Sequence, residues 1–116
     1  MPIHSKNKGK RGELEVAELF RRFGFAARRG QQFQGGADSP DVVVCGLEGE
    51  YHVEVKRTET LSIWLAMAQA EHDAARGEVP LVLHRRSKKP WLAILPAEDL
   101  LRLLARDKAR GKLHDL

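Results

Sequence analysis

The stretch Pro40-Asp41-Val42-Val43-Val44-Cys45-Gly46-Leu47-Glu48-Gly49-Glu50-Tyr51-His52-Val53-Glu54-Val55-Lys56 reads as a hairpin carrying two carboxylates and an amine. Val42 to Cys45 and Tyr51 to Val55 are β-branched and aromatic runs, and Gly46 and Gly49 mark the turn between them. If the hairpin is symmetric about residues 46–49, Cys45 faces Glu50, Val44 faces Tyr51 and Asp41 faces Glu54. Opposed residues of an antiparallel pair have Cβ atoms about 5 Å apart on one face of the sheet. Alternation then sends Glu54 and Lys56 to one side and Val53 and Val55 to the other. Asp41, Glu54 and Lys56 therefore converge.

Two carboxylates held that close repel, and one stays protonated unless a cation sits between them. Mg²⁺ takes oxygen ligands, usually binds one or two carboxylates, and keeps several waters for a phosphate substrate. The alternative is a surface hairpin whose polar face is a cross-strand ion pair.

The chain's 116 residues suffice for a single domain, residues 1–116, with one core. Twenty Lys plus Arg against sixteen Asp plus Glu give +4 and a pI near 9.5, which suits a polyanionic partner. The first eleven residues hold Lys6, Lys8, Lys10 and Arg11 with no acid, and Arg28-Arg29, Arg85-Arg86 and Lys88-Lys89 are further basic clusters. Cys45, the only cysteine, excludes a disulfide framework and a thiolate metal site, and reads as a small core residue of a strand. The N-terminus lacks the apolar region of a signal peptide and no run approaches a membrane span. A soluble intracellular protein with no membrane partner is expected.

Residues 1–8 read as a flexible basic arm, followed by a helix from about Lys10 to Phe23 that Gly24 stops. Val16, Leu19, Phe20 and Phe23 form its apolar stripe, with Glu13 and Glu15 on opposite edges. Phe25 to Arg29 is a first strand, and 30–39 is a polar Gly/Gln loop leading into Pro40-Asp41. After the hairpin, Leu61 to Arg76 forms a helix closed by Gly77, with Ile63, Met67, Ala70 and Ala74 in its buried stripe. Pro80 to Arg85 and Trp91 to Leu95 are two more strands, and Pro96 opens a third helix bearing Leu100, Leu101, Leu103 and Leu104. Residues 107–116 read as a charged tail. The order αβββαββα is an α/β sandwich around a mixed sheet of about five strands flanked by helices.

Pro40-Asp41 followed by Glu54-Val55-Lys56, with a glutamate on the preceding helix, resembles the PD-(D/E)xK nuclease superfamily and implies its restriction-endonuclease-like core. Within it the chain is most similar to archaeal-type Holliday junction resolvases and their phage-encoded relatives. Lys8-Gly9, Gly12-Glu13, Gly24-Phe25, Arg29-Gly30, Ser39-Pro40-Asp41, Glu54-Val55-Lys56, Gln69-Ala70 and Pro80 to Arg85 carry that likeness over roughly residues 8–95. The frame from Lys8-Gly9 to Gly24-Phe25 puts the helix glutamate on Glu13, with Glu15 the other candidate.

The resemblance implies an Mg²⁺-dependent endodeoxyribonuclease, with Mn²⁺ as a substitute, that resolves four-way junctions by symmetric phosphodiester hydrolysis. Asp41, Glu54 and the Val55 carbonyl are its expected metal ligands, Glu13 serves a second ion or a water of the site, and Lys56 orients or deprotonates the attacking water. Lys8, Lys10, Arg11, Arg28, Arg29, Arg57 and Arg85 are the expected DNA-backbone contacts, with Gln32, Ser39 and Gln69 as additional site candidates. A two-fold junction implies a homodimer, with Trp64 and the leucines after Pro96 as candidate contacts. The expected setting is the cytoplasm of a prokaryote or of a phage-infected host. His52 alternates onto the Glu54 face but, without an HxH or HExxH spacing, reads as a neutral sheet residue.

Two other readings remain open on the sequence. One keeps the chemistry and directs it to flaps, ends or duplex DNA in repair or restriction. The other is a basic nucleic-acid-binding protein without catalysis.

Overall fold

Helix α1 (Pro2–Arg22) lies across one face of a five-stranded sheet and helix α2 (Ile63–Asp73) across the other, in a computed structural model that describes residues 2–30 and 40–114. Side chains are described for 9–30 and 40–111. The strands are β1 (Ala27–Arg29), β2 (Val42–Val44), β3 (Tyr51–Arg57), β4 (Val79–Arg85) and β5 (Leu92–Ile94), followed by α3 (Ala97–His114). They lie in chain order across the sheet, with β3 and β4 parallel and every other pair antiparallel. The parallel pair needs a crossover, and α2 supplies it. The order αβββαββα and the restriction-endonuclease-like architecture are those expected.

Alternation along β3 builds two different layers. Val53, together with Val42, Val44, Ala27 and Leu83, packs with Val16 and Ala17 of α1, all nearly sealed from water. Ala66, Met67 and Ala70 of α2 pack with Val82 on the opposite side. Small residues on α2 let the helix lie close to the strands. Gly12 does the same for α1, since a methyl there would lie 2.9 Å from Arg57 Cβ and 3.2 Å from Val55 Cγ1.

Val42 pairs with Val53, the register expected from a loop over 46–49, and it brings Asp41 opposite Glu54. The Asp41 amide donates to the Val53 carbonyl at 2.9 Å. On the other side of Asp41, the Gly30 amide donates to its carbonyl at 2.8 Å. Gly30 is buried, and a Cβ there would collide with the Pro40 carbonyl oxygen. The chain on either side of residues 31–39 is thereby clasped at Asp41.

Several boundaries differ from expectation. The helix reaches back to Pro2, so the backbone of 2–8, expected as a flexible arm, is helical; proline suits a first helical position. α2 ends at Asp73 instead of Arg76, because Ala74 turns extended and the Ala75 amide bonds the Glu78 carboxylate at 2.7 Å; Gly77 serves that turn at φ +90°. Ile63 is half exposed, and Asp73 takes the buried place expected of Ala74. α3 continues through 107–114. Cys45 is exposed, because the β2 ladder stops at Val44 and the chain turns there.

Candidate active site

Asp41, just before β2, lies beside Glu54 of β3 on the face that α2 covers. The Asp41 Oδ2 atom accepts the Val55 amide at 2.8 Å, which fixes the carboxylate against β3. Burial, then the charge of Glu54, pushes the Asp41 carboxyl up to about 7, with Glu13 adding repulsion and the Val55 amide working against the rise. Two acids crowded in this way favour a proton or a cation between them. The two carboxylates offer oxygen donors, with Glu54 buried and Asp41 partly so, and fit a hard divalent ion.

Lys56, two residues beyond Glu54 on the same face, donates to Gln69 Oε1 of α2 at 2.9 Å. Glu13 is nearly buried, and Arg29 Nε donates to its Oε1 at 2.8 Å. Glu15 has a different environment. Arg57 Nε lies 3.2 Å from its Oε2, Arg85 Nη1 donates to its Oε1 at 2.9 Å, and Arg11 Nε approaches to 3.3 Å. Burial works the other way, but Arg57 and Arg85 hold the Glu15 carboxyl below its ordinary range. The two glutamates of α1 therefore differ: Glu13 binds Arg29 and adds its charge to the field at Asp41, and Glu15 gathers three guanidinium groups.

That gathering changes the picture of the basic residues. Arg29, Arg57 and Arg85 are spent on protein carboxylates and Arg11 shares Glu15, whereas Lys10 and Arg28 are exposed. The Lys8 side chain, Gln32 and Ser39 lie outside the described residues.

His52 is the residue whose role the sequence did not disclose. It is 1% exposed, and its Nε2 lies 2.7 Å from Glu54 Oε1. Its Nδ1 lies 3.9 Å from Glu78 Oε1. Burial alone would depress its basicity, but the bond to Glu54 and the charges of Glu54, Glu78 and Asp73 raise it. Among the described residues, His52, Glu54 and Asp73 each place a ligand atom within 4.8 Å of the others, forming a group able to hold a metal ion. The position of His52 two residues before Glu54 was a usable signal; nothing in the sequence tied Asp73 or Glu78 to it.

A mixed sheet bearing Pro40-Asp41 opposite Glu54-Val55-Lys56, between two helical layers, defines a PD-(D/E)xK nuclease. The family model described as archaeal Holliday junction resolvase matches residues 4–109, and the chain belongs to that family. No curated protein and no solved structure matches the chain. The family is one of nucleases directed at branched DNA in recombination. Among the described residues no helix is long and apolar enough to cross a membrane.

Proposed function

We propose that this chain is a Mg²⁺-dependent endonuclease that resolves four-way DNA junctions by symmetric cuts, acting as a homodimer. The observation that carries the reading is the crowded Asp41–Glu54 pair, buried enough to keep Asp41 protonated to about pH 7, in a chain of the resolvase family. Asp41, Glu54 and the Val55 carbonyl are the groups that would hold Mg²⁺, with Mn²⁺ as substitute, and Glu13 completes the acidic set. When bound, the ion supplies an acidified water and stabilises charge on the reacting phosphate.

The remaining roles belong to the chain itself. The Val55 amide keeps Asp41 facing Glu54. Lys56, held by Gln69, presents an ammonium group to the attacking water or the phosphate. Lys8, Lys10, Arg11 and Arg28 contact the backbone of the DNA arms, which gives affinity without sequence information. Arg29, Arg57 and Arg85 serve the same electrostatic surface while anchored on Glu13 and Glu15. Two-fold junction symmetry calls for two copies of this site, and exposed Trp64, Leu100, Leu101 and Leu104 offer apolar surface for pairing them.

The test is a panel of four-way junction, flap, nicked duplex and linear duplex, cut by wild type, Asp41→Asn and Glu54→Gln with and without Mg²⁺. Selective, Mg²⁺-dependent junction cutting that both substitutions abolish is the expected result. Equal cutting of linear duplex would sink the junction assignment, and retained cleavage in either variant would sink the metal site.

A further inference from the structure

We propose that His52 is a positioning residue for Glu54: it holds one carboxylate oxygen so that the other is aimed at the ion. This rests on the metal reading above. His52 Nε2 lies 2.7 Å from Glu54 Oε1, and with the imidazole proton on Nε2 the ring donates to that oxygen. The ring has little freedom to do otherwise. It is sealed from solvent, with Glu78 on its Nδ1 side and Asp73 of α2 within the same cluster.

Glu54 itself is 4% exposed, so little of its carboxylate is open to bulk water. Its carboxylate torsion, otherwise broad, is thereby fixed from β3, in the same way that the Val55 amide fixes Asp41 from below. Both carboxylates of the pair are thus oriented by donors of a single strand. Partners of this kind, which touch a ligand and not the metal, typically govern metal affinity by 10–100-fold on order of magnitude.

The test compares His52→Gln, whose side-chain amide keeps a donor near the Nε2 position, with His52→Met, which is of similar size and has none. Mn²⁺ binding is followed by calorimetry and folding by thermal melts. The Met variant is expected to bind Mn²⁺ about 10–100-fold more weakly, and Gln to recover most of that loss. A Met variant that binds Mn²⁺ like wild type would overturn the assignment.

A second measurement needs no substitution. In the wild-type protein, Mg²⁺ added to the apo form is expected to shift the His52 Nε2 nitrogen resonance, since ligation withdraws electron density from the carboxylate it serves. An unmoved resonance at saturating Mg²⁺ would equally overturn it. Failure of the metal reading looks different: there Glu54→Gln itself leaves Mn²⁺ affinity unchanged.

Discussion

Arg29 of the first strand donates its Nε to Glu13 Oε1 of the first helix at 2.8 Å, so the acid closest in character to the Asp41 pair already carries a cation of its own. Glu15, two residues on, is claimed by Arg11, Arg57 and Arg85. Exchanging either glutamate for glutamine separates their roles. Glu13→Gln is expected to reduce junction cleavage by about 10–100-fold at near-normal stability. Glu15→Gln is expected to leave cleavage per folded molecule within a few-fold and to cost about 1–3 kcal/mol, because partly buried guanidinium groups lose their acceptor. Single-turnover cleavage beside chemical denaturation measures both. The reverse pattern would move the helix acid to Glu15.

Asp41 sets a pH dependence. Its carboxyl is raised from about 3.8 to about 7 on folding, so between those values the folded chain binds more protons than the unfolded one. Stability contributed by the bound proton is present at low pH and falls as pH rises towards 7. In the proposed metal site, Mg²⁺ needs the deprotonated pair. The melting temperature of metal-free protein should therefore drop between pH 5 and pH 8, and Mg²⁺ should restore it at pH 8 and do little at pH 5. Asp41→Asn should flatten the profile and stabilise the metal-free protein at pH 8 by about 0.5–2 kcal/mol.

Lys56 is held by one hydrogen bond to Gln69. Lys56→Gln is expected to lower the rate of the chemical step by about 100-fold or more, with junction affinity little changed. Gln69→Ala leaves the ammonium in place but unrestrained, and a loss of only about 3–10-fold is expected. Equal losses would mean that Lys56 serves the fold and not the chemistry.

Close backbone approach gives a structural prediction. Gly12→Ala drives a methyl against Arg57 Cβ and Val55 Cγ1, atoms too near the strand backbone to swing aside. A cost of about 1–3 kcal/mol follows, with cleavage impaired because α1 carries Glu13. Urea denaturation and cleavage of the same preparation test it.

The hairpin was legible because a period of two and a turn of known length leave one register that buries the valines, and that register alone makes Asp41 and Glu54 neighbours. Segment ends were less so. Phe23 fits the helical stripe by spacing yet is 77% exposed, since α1 stops at Arg22 and Gly24, at φ +93°, turns the chain away. Cys45 continues the apolar run of β2 but lies past the last strand residue. Cations were the hardest to read. Composition counts Arg57 and Arg85 as positive charge for a polyanion, whereas their acceptor, Glu15, lies 42 and 70 residues away in sequence. The same distance effect hid the His52 cluster, whose Asp73 and Glu78 come from beyond the hairpin.

The clasp at Gly30 and Asp41 ties the Asp41 backbone to two segments at once, to Gly30 at the end of β1 and to Val53 of β3. The position of Asp41 is therefore decided by backbone bonds to two different segments, and a substitution that loosens either one displaces an acid of the candidate site.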